Sequence, residues 1–154
     1  KLENEDFPIE KMALNLWEPL DEAIRSANAL AQNKAITIHV EKDSTPYCFY
    51  GDYGRLKQLF LIILDNAVKF SPSNSTIEVI QKGNTIVIED HGLGISPEEL
   101  PYIFDRFYQA STHHFSQGSG LGLAIAKQIA QRHGIEILAT SSINSGMRFE
   151  LHFP

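Results

Sequence analysis

The residues best suited to chemistry lie in three short segments that follow one another along the chain. They are DNAVKF at residues 65–70, DHGLG at residues 90–94 and GSGLGL at residues 118–123. The first offers an amide oxygen and an ammonium group, the second a carboxylate followed by glycines, and the third a glycine-rich turn before a helix. A metal ligand, an acceptor for a base and a phosphate-binding turn are together what the binding of Mg-ATP requires.

The first segment belongs to a predicted helix on which Asn66 and Lys69 share a face. Asn66 has the hard carbonyl oxygen that Mg²⁺ prefers, and Lys69 can reach a phosphate as a point charge. Asp65 points about 100° away from Asn66 on a regular helix. The alternative is that Asn66 bonds a local backbone group and that Lys69 is only a solvated helix end.

In the second segment Asp90 ends a predicted strand and precedes Gly92 and Gly94. An ionised carboxylate only accepts hydrogen bonds, so it suits an amino donor such as the exocyclic amine of adenine. Glycines allow the backbone to approach a ligand closely. The alternative is an ordinary tight turn after a strand, with His91 as an exposed spacer.

In the third segment Gly118, Gly120 and Gly122 lead into a predicted helix, whose N-terminus attracts phosphate. The segment lacks the lysine of a P-loop. The polar residues 109–119 before it predict a mobile loop, in which His113 and His114 are more simply exposed side chains than metal ligands. A glycine turn before a helix is common, so this segment alone does not establish a phosphate-binding site.

The elements that must position these segments follow from hydrophobic periodicity. Gly134 is the expected stop of the last helix, and residues 96–99 (SPEE) predict the start of a further one. Mixed helices and hairpins favour an α+β class with the helices on one face of a sheet. The expected helices are residues 17–33, 55–70 and 121–133, and the expected strands are residues 12–16, 36–41, 47–50, 76–81, 85–89, 135–140 and 147–153.

Composition narrows the possible partners. The length of 154 residues predicts one domain, and a net charge of −6 argues against nucleic acid as a partner. The longest apolar run, residues 59–64, is far shorter than the roughly 20 residues that cross a bilayer. The single cysteine, Cys48, lies among aromatic residues and is predicted to be a buried structural thiol, which fits a reducing, cytoplasmic setting.

Taken together, the three segments resemble the N, G1 and G2 boxes of the catalytic ATP-binding domain of sensor histidine kinases, and residues 104–108 (FDRFY) are similar to its F box. The resemblance covers about residues 12–154 and leaves residues 1–11 as a linker from a preceding dimerisation and phosphoacceptor domain. It implies a Bergerat-type fold, a two-layer α/β sandwich with a mixed β-sheet covered on one face by three helices.

The resemblance also implies ATP and Mg²⁺ as cofactors. Asn66 would bind Mg²⁺, Lys69 a phosphate, and Asp90 the adenine amine, with Phe70 packed near the adenine. Asn66 and Lys69 would form the catalytic set together with Arg106, which would help to neutralise phosphate charge. The other residues implied at the nucleotide are Gly92, Gly94, Ile95, Gly118, Ser119, Gly120, Leu121, Gly122 and Leu123.

The implied reaction is transfer of the γ-phosphoryl group to a histidine. None of the six histidines of this chain precedes an acidic residue in a helical segment, so the acceptor is expected outside the chain. The implied partners are the dimerisation and phosphoacceptor domain and, through the whole protein, a response regulator. The isolated domain is expected to be a monomer and the cytoplasmic part of a membrane-anchored sensor.

Three positions depart from the family pattern. Ile62 stands four residues before Asn66, where many kinases have asparagine and the related ATPases have a general-base glutamate. Gln109 replaces an arginine, and Met147 replaces a threonine at the start of the last strand. Ile62 cannot accept a proton, so efficient ATP hydrolysis is not expected. The three departures also leave open a rival hypothesis, a nucleotide-sensing regulatory module without transfer activity.

Overall fold

A computed structural model describes residues 7–106, 108, 121–141 and 144–154. Its helices are α1 (Trp17–Gln32), α2 (Tyr53–Phe70) and α3 (Gly122–Arg132). Its strands are β1 (Met12–Asn15), β2 (Thr37–Lys42), β3 (Cys48–Gly51), β4 (Thr76–Lys82), β5 (Thr85–Glu89), β6 (Glu136–Ser141) and β7 (Met147–His152). None of the helices in these described ranges is long and apolar enough to cross a bilayer.

Five strands form one mixed sheet in the order β2-β4-β5-β7-β6. Strand β2 runs parallel to β4, and the other neighbours are antiparallel. Strands β1 and β3 form a separate antiparallel pair. Helices α1, α2 and α3 pack side by side over the sheet, with α2 in the middle. The predicted α+β class, with three helices on one face of a mixed sheet, is confirmed.

Helix α2 is the central element of the core. The side chains of Leu59, Phe60, Ile63 and Leu64 are completely buried. Complete burial of one large aliphatic or aromatic side chain contributes about 1.5–3 kcal/mol. The apolar run of α2 therefore fixes this helix against the sheet. The polar residues near its C-terminal end are thus attached to a rigid helix.

Two local predictions are wrong in detail. Cys48 is exposed, because strand β3 alternates and its Phe49 and Gly51 take the inward positions. Residues 96–99 do not begin an α-helix: a turn leads into a single 3-10 turn at Leu100–Tyr102. Pro101 has no N–H with which to continue a helical hydrogen-bond ladder.

The N-terminus of α2 is joined to the C-terminal end of α3 through His133. The Asp52 N–H donates to His133 Nε2 at 3.0 Å, and His133 Nδ1 lies 2.9 Å from the Ile129 carbonyl oxygen. The neutral imidazole with its proton on Nδ1 satisfies both bonds. The Asp52 side chain caps α2, since its Oδ1 accepts from the Arg55 N–H at 3.0 Å.

The segment before β1 contacts the same junction. The Phe7 ring lies between the guanidinium groups of Arg55 and Arg132, at 4.2 and 4.8 Å from its centroid. The Glu10 N–H donates to Asp52 Oδ2 at 2.7 Å. Residues 7 and 10, within the expected linker, therefore pack on the domain where α2 begins and α3 ends.

We expect His133 to make stability depend on pH. Burial lowers its pKa, so its contribution is complete above the ordinary value of about 6.5 and is lost as the pH falls towards the lower folded-state pKa. His133→Ala should cost about 2 kcal/mol or more at pH 7.5, since the Asp52 N–H loses its acceptor and a cavity remains. Urea unfolding at pH 7.5 and 5.5 measures both effects.

The parent should lose more stability between these pH values than His133→Ala does. The control is His39→Ala, which removes an exposed histidine of β2 and should follow the parent. An equal pH-dependent loss in the parent and in His133→Ala would contradict this account.

Candidate functional site

Asp90 lies at the centre of the site, directly after β5, and its side chain is buried. Its Oδ1 accepts from the Gly92 N–H at 2.9 Å and from the Met147 N–H at 3.2 Å. The Asp90 N–H donates to the Met147 carbonyl oxygen at 2.9 Å. No other group in the described ranges bonds Oδ2, so one carboxylate oxygen is left to accept from a ligand.

The charge of Asp90 depends on its partners. Burial raises the pKa of this carboxyl, and the hydrogen bonds from the Gly92 and Met147 amides act in the opposite direction. A further donor at Oδ2 would favour the ionised form. An N–H donor such as an exocyclic amine could therefore bond this oxygen.

Two glycines let backbone segments meet around Asp90. A Cβ at Gly92 would lie 2.2 Å from the Phe70 carbonyl oxygen, and a Cβ at Gly146 would lie 2.0 Å from the Asp90 carbonyl oxygen. Gly146 also has a φ of +83°, which L-residues rarely adopt. The structure thus brings the predicted residues Phe70, Asp90 and Gly92 together, and it adds Gly146, which was not among them.

The last turns of α2 carry the predicted metal and phosphate ligands. Asn66 is half-buried and makes no side-chain hydrogen bond within the described ranges, and Lys69 is exposed on the same face. The pKa of Asp65 is raised by burial, which outweighs the effect of Lys69. The amide oxygen of Asn66 fits Mg²⁺, which takes one or two protein oxygens together with phosphate oxygens and water.

A metal ion beside Asn66 would need most of its ligands from the phosphates of a nucleotide and from water. Within the described ranges no cluster of three or more His, Cys, Asp or Glu side chains could hold an ion. Asn66 as one oxygen ligand, completed by phosphates and water, is the coordination that this part of the chain offers to Mg²⁺.

The start of α3 lies against α2. A Cβ at Gly122 would be 3.5 Å from Ile62 Cγ2, so the N-terminus of α3 abuts α2 about one turn before Asn66. Leu121, at the N-cap position, makes no side-chain hydrogen bond to this N-terminus. Leu121 and Leu123 are half-buried beside Gly122. The residues predicted from this part of the chain that lie outside the described ranges are Gly118, Ser119, Gly120, Gln109, His113 and His114.

Ser141 connects the turn after Asp90 to the start of β7. Its Oγ accepts from the Ile95 N–H at 2.7 Å and donates to the Gly146 carbonyl oxygen at 2.6 Å. Ile95, a predicted site residue, is buried, as is Gly94. Sequence analysis missed Ser141. A serine at the end of a strand indicates no function until the turn whose backbone groups it bonds is known.

Aromatic residues of the F-box segment anchor it to the domain. The Phe104 ring packs edge-on against Phe149, with centroids 6.2 Å apart. The Tyr108 hydroxyl donates to Glu99 Oε1 at 2.5 Å, and burial together with this bond raises the pKa of Tyr108 to about 12. Arg106 is exposed, and its contact with phosphate stays a prediction.

Comparison with known proteins identifies the family of this chain. The family model described as "Histidine kinase-, DNA gyrase B-, and HSP90-like ATPase" matches residues 51–154, more than half of the chain. The chain belongs to this ATPase family. The family match thereby confirms the resemblance that rested on the N, G1, F and G2 boxes.

Curated relatives within the family are sensor kinases. The signal transduction histidine-protein kinase/phosphatase MprB of Mycobacterium avium is 34% identical, over 84% of this chain and 26% of the relative. The sensor protein KdpD of Clostridium acetobutylicum is 35% identical, over 100% of this chain and 18% of the relative. The chain thus spans about a quarter or less of the length of these relatives.

Solved structures of family members have the same fold. The mycobacterial sensor histidine kinase MprB matches with a TM-score of 0.83 and 29% identity, over 93% of this chain and 97% of that one. The catalytic domain of the histidine kinase ThkA matches with a TM-score of 0.79 and 25% identity, over 94% and 95%. Full-length ShkA in complex with AMPPNP matches with a TM-score of 0.82 over 96% of this chain and 32% of that one, at 24% identity, which concerns the fold alone.

The crowding around Asp90 predicts that Gly146→Ala is severely destabilising. The new methyl group would meet the Asp90 carbonyl at a position of positive φ, and we expect a loss of roughly 3 kcal/mol or more in urea unfolding. Gly83→Ala is the matched control, because Gly83 also has positive φ but nothing within 4 Å of a Cβ. Its cost should be about 1–2 kcal/mol. Equal losses would show that the close approach at Gly146 is unimportant.

Proposed function

We propose that this domain binds Mg-ATP and donates the γ-phosphoryl group to a histidine on a separate dimerisation domain. The observation that carries the proposal is the buried Asp90, whose Oδ1 accepts from two backbone amides, while Oδ2 has no hydrogen-bond partner among the described residues. Membership of the ATPase family supports the nucleotide. The sensor kinases among the relatives support the acceptor class.

The adenine would occupy the space beside Asp90. Its exocyclic amine would donate to Oδ2, and the close approach of Gly92 to Phe70 would form one wall. The AMPPNP complex of ShkA, a protein of the same fold, supports an adenine nucleotide as the ligand.

The phosphates would lie between α2 and the start of α3. Asn66 would hold Mg²⁺, Lys69 would contact a phosphate, and the N-terminus of α3 at Gly122 would add backbone donors. Bound Mg²⁺ would offset the charge of the phosphate oxygens. Arg106 and residues 118–120 would also belong to this phosphate site, a proposal that rests on the family resemblance.

The acceptor would come from outside the domain. Ile62 packs beside Gly122 and offers no base to activate water. In the proposed step the unprotonated nitrogen of a neutral imidazole attacks the γ-phosphorus, the bond to the bridging oxygen breaks and its electron pair leaves with ADP. The phosphorylated ring then loses its remaining N–H proton to solvent. Such transfer needs positioning and charge neutralisation more than a protein base.

A nucleotide-sensing module without transfer activity is the second candidate. The observation that favours it is Met147, which is buried at the start of β7 next to Asp90 and provides no hydroxyl there. Such a module would bind ATP with similar affinity and would transfer nothing.

The properties of the whole protein are also proposals, since the chain spans only part of its relatives. We propose that residues 1–11 connect this domain to the dimerisation and phosphoacceptor domain. A response regulator would then take the phosphoryl group, and the catalytic domain would lie on the cytoplasmic side of a membrane-anchored sensor.

Transfer can be measured by mixing this domain with a dimerisation domain that carries the acceptor histidine, together with Mg²⁺ and γ-labelled ATP. We expect label on the acceptor histidine and little free phosphate without the acceptor. Asn66→Ala should slow the transfer by about tenfold or more, or about 1.4 kcal/mol. Asn28→Ala, which removes an amide of α1, should not. Binding of ATP without transfer at high acceptor concentration would favour the sensing module.

Asp90→Asn should weaken ATP binding by at least about tenfold. If the single amide oxygen accepts from Gly92 and Met147, the new NH₂ group faces the adenine amine, and two donors meet. Asp21→Asn, at a surface ion pair with Lys42, is the control. Calorimetry with a non-hydrolysable ATP analogue measures the affinities.

The parent should also lose affinity as the pH falls through the raised pKa of Asp90, since a protonated carboxyl is no longer acceptor-only. The phosphates of the analogue titrate in both proteins, so the comparison with Asp90→Asn isolates the contribution of this carboxyl. Identical pH profiles would count against Asp90 as the base-binding group.

A further inference from the structure

The C-terminal end of α2 is bonded by a side chain from outside the helix. Lys34 Nζ donates to the Val68 carbonyl oxygen at 2.9 Å and to the Lys69 carbonyl oxygen at 3.1 Å. Lys34 follows α1, and no motif of the nucleotide site includes it. Its ammonium group thus bonds the backbone of the turn that carries Lys69.

The end of α2 presents backbone carbonyls to which such a donor can bond. The carbonyls of a last helical turn have no intrahelical partner. Many helices satisfy them with a left-handed residue after the end. Here Ser71 is extended, with φ −90° and ψ 145°, and the next residue, Pro72, has no N–H. A cation at this end also complements the helix dipole.

The backbone of Lys34 is itself held on both sides. Its N–H donates to the Ala31 carbonyl oxygen at 3.0 Å, and its carbonyl oxygen accepts from the Asn74 N–H at 3.0 Å. The residue is therefore attached both to the end of α1 and to the loop that follows α2. A side chain that extends from such a fixed point can restrain the turn that it bonds.

We propose that Lys34 is a positioning residue, which fixes the last turn of α2 so that Lys69 is directed at the phosphates of the nucleotide. The inference rests on the proposed binding of Mg-ATP. Phe70 has a second restraint, because its carbonyl lies against Gly92. Loss of the Lys34 bonds should therefore affect phosphate binding more than adenine binding.

The test compares affinities for a non-hydrolysable Mg-ATP analogue and for adenosine, measured by calorimetry on this chain. Lys34→Met keeps most of the aliphatic stem and removes the donor. It should weaken binding of the ATP analogue by about three- to tenfold, which corresponds to part of the free energy of one charge-assisted hydrogen bond. The effect on adenosine binding should be smaller. Lys34→Arg, which keeps a cationic donor, should restore at least part of the ratio between the two affinities.

Lys42→Met is the matched control. Lys42 is bonded to Asp21 and lies over the Trp17 ring, at the far end of β2 from Lys34. Its loss should lower stability and leave the ratio unchanged, which separates a structural effect from positioning.

An unchanged ratio in Lys34→Met, with the parent binding the ATP analogue, would overturn the role of Lys34 alone. If Lys34→Met unfolds, Lys34→Leu, which also lacks a donor, replaces it under the same criterion. Absence of any binding by the parent would instead overturn the proposed function and this inference together.

Discussion

The pairing of one buried carboxylate oxygen with two backbone amides is the interaction on which the site depends. Asp90 Oδ1 holds the Gly92 and Met147 N–H groups, which joins the end of β5, the turn after it and the start of β7. A buried carboxylate is costly unless it is bonded, and here the bonds within the described ranges use Oδ1 and not Oδ2. Gly92 and Gly146 permit the arrangement, since a side chain at either would collide with backbone.

Helix α2 is the rigid support of the residues proposed to bind the nucleotide. Its middle is completely buried, so it cannot shift without loss of packing. Its two ends are held by side chains from other elements: His133 bonds the Asp52 amide at the start, and Lys34 bonds the last carbonyls. Asn66 and Lys69 thus project from a helix that is fixed along its whole length.

Local sequence predicted most of the helices and strands and several of the residues that come together at the site. Hydrophobic periodicity, the glycines and Asp90 can each be recognised from a few neighbouring residues. The sequence placed Phe70, Asp90 and Gly92 at one site, and the structure brings them together. It did not reveal Ser141, and it gave Lys34 no role. Ser141 bonds the distant residue Ile95, and Lys34 bonds the end of α2. No local sequence pattern encodes such contacts. The error at Cys48 has the same origin: composition suggests burial, but the alternation of the strand decides it.

The contact between Ile62 and Gly122 bears on the kind of chemistry that the site can perform. An aliphatic side chain fills the position beside the start of α3, close to where the phosphates would bind. A carboxylate there could orient and deprotonate water, whereas isoleucine excludes water and accepts no proton. In the proposed reaction, the same packing that joins α2 to α3 would disfavour hydrolysis and leave the γ-phosphoryl group for a nucleophile on another domain. An apolar residue at position 62 would suit the proposed phosphoryl donor, because hydrolysis would lose the phosphoryl group to water before it reached the acceptor.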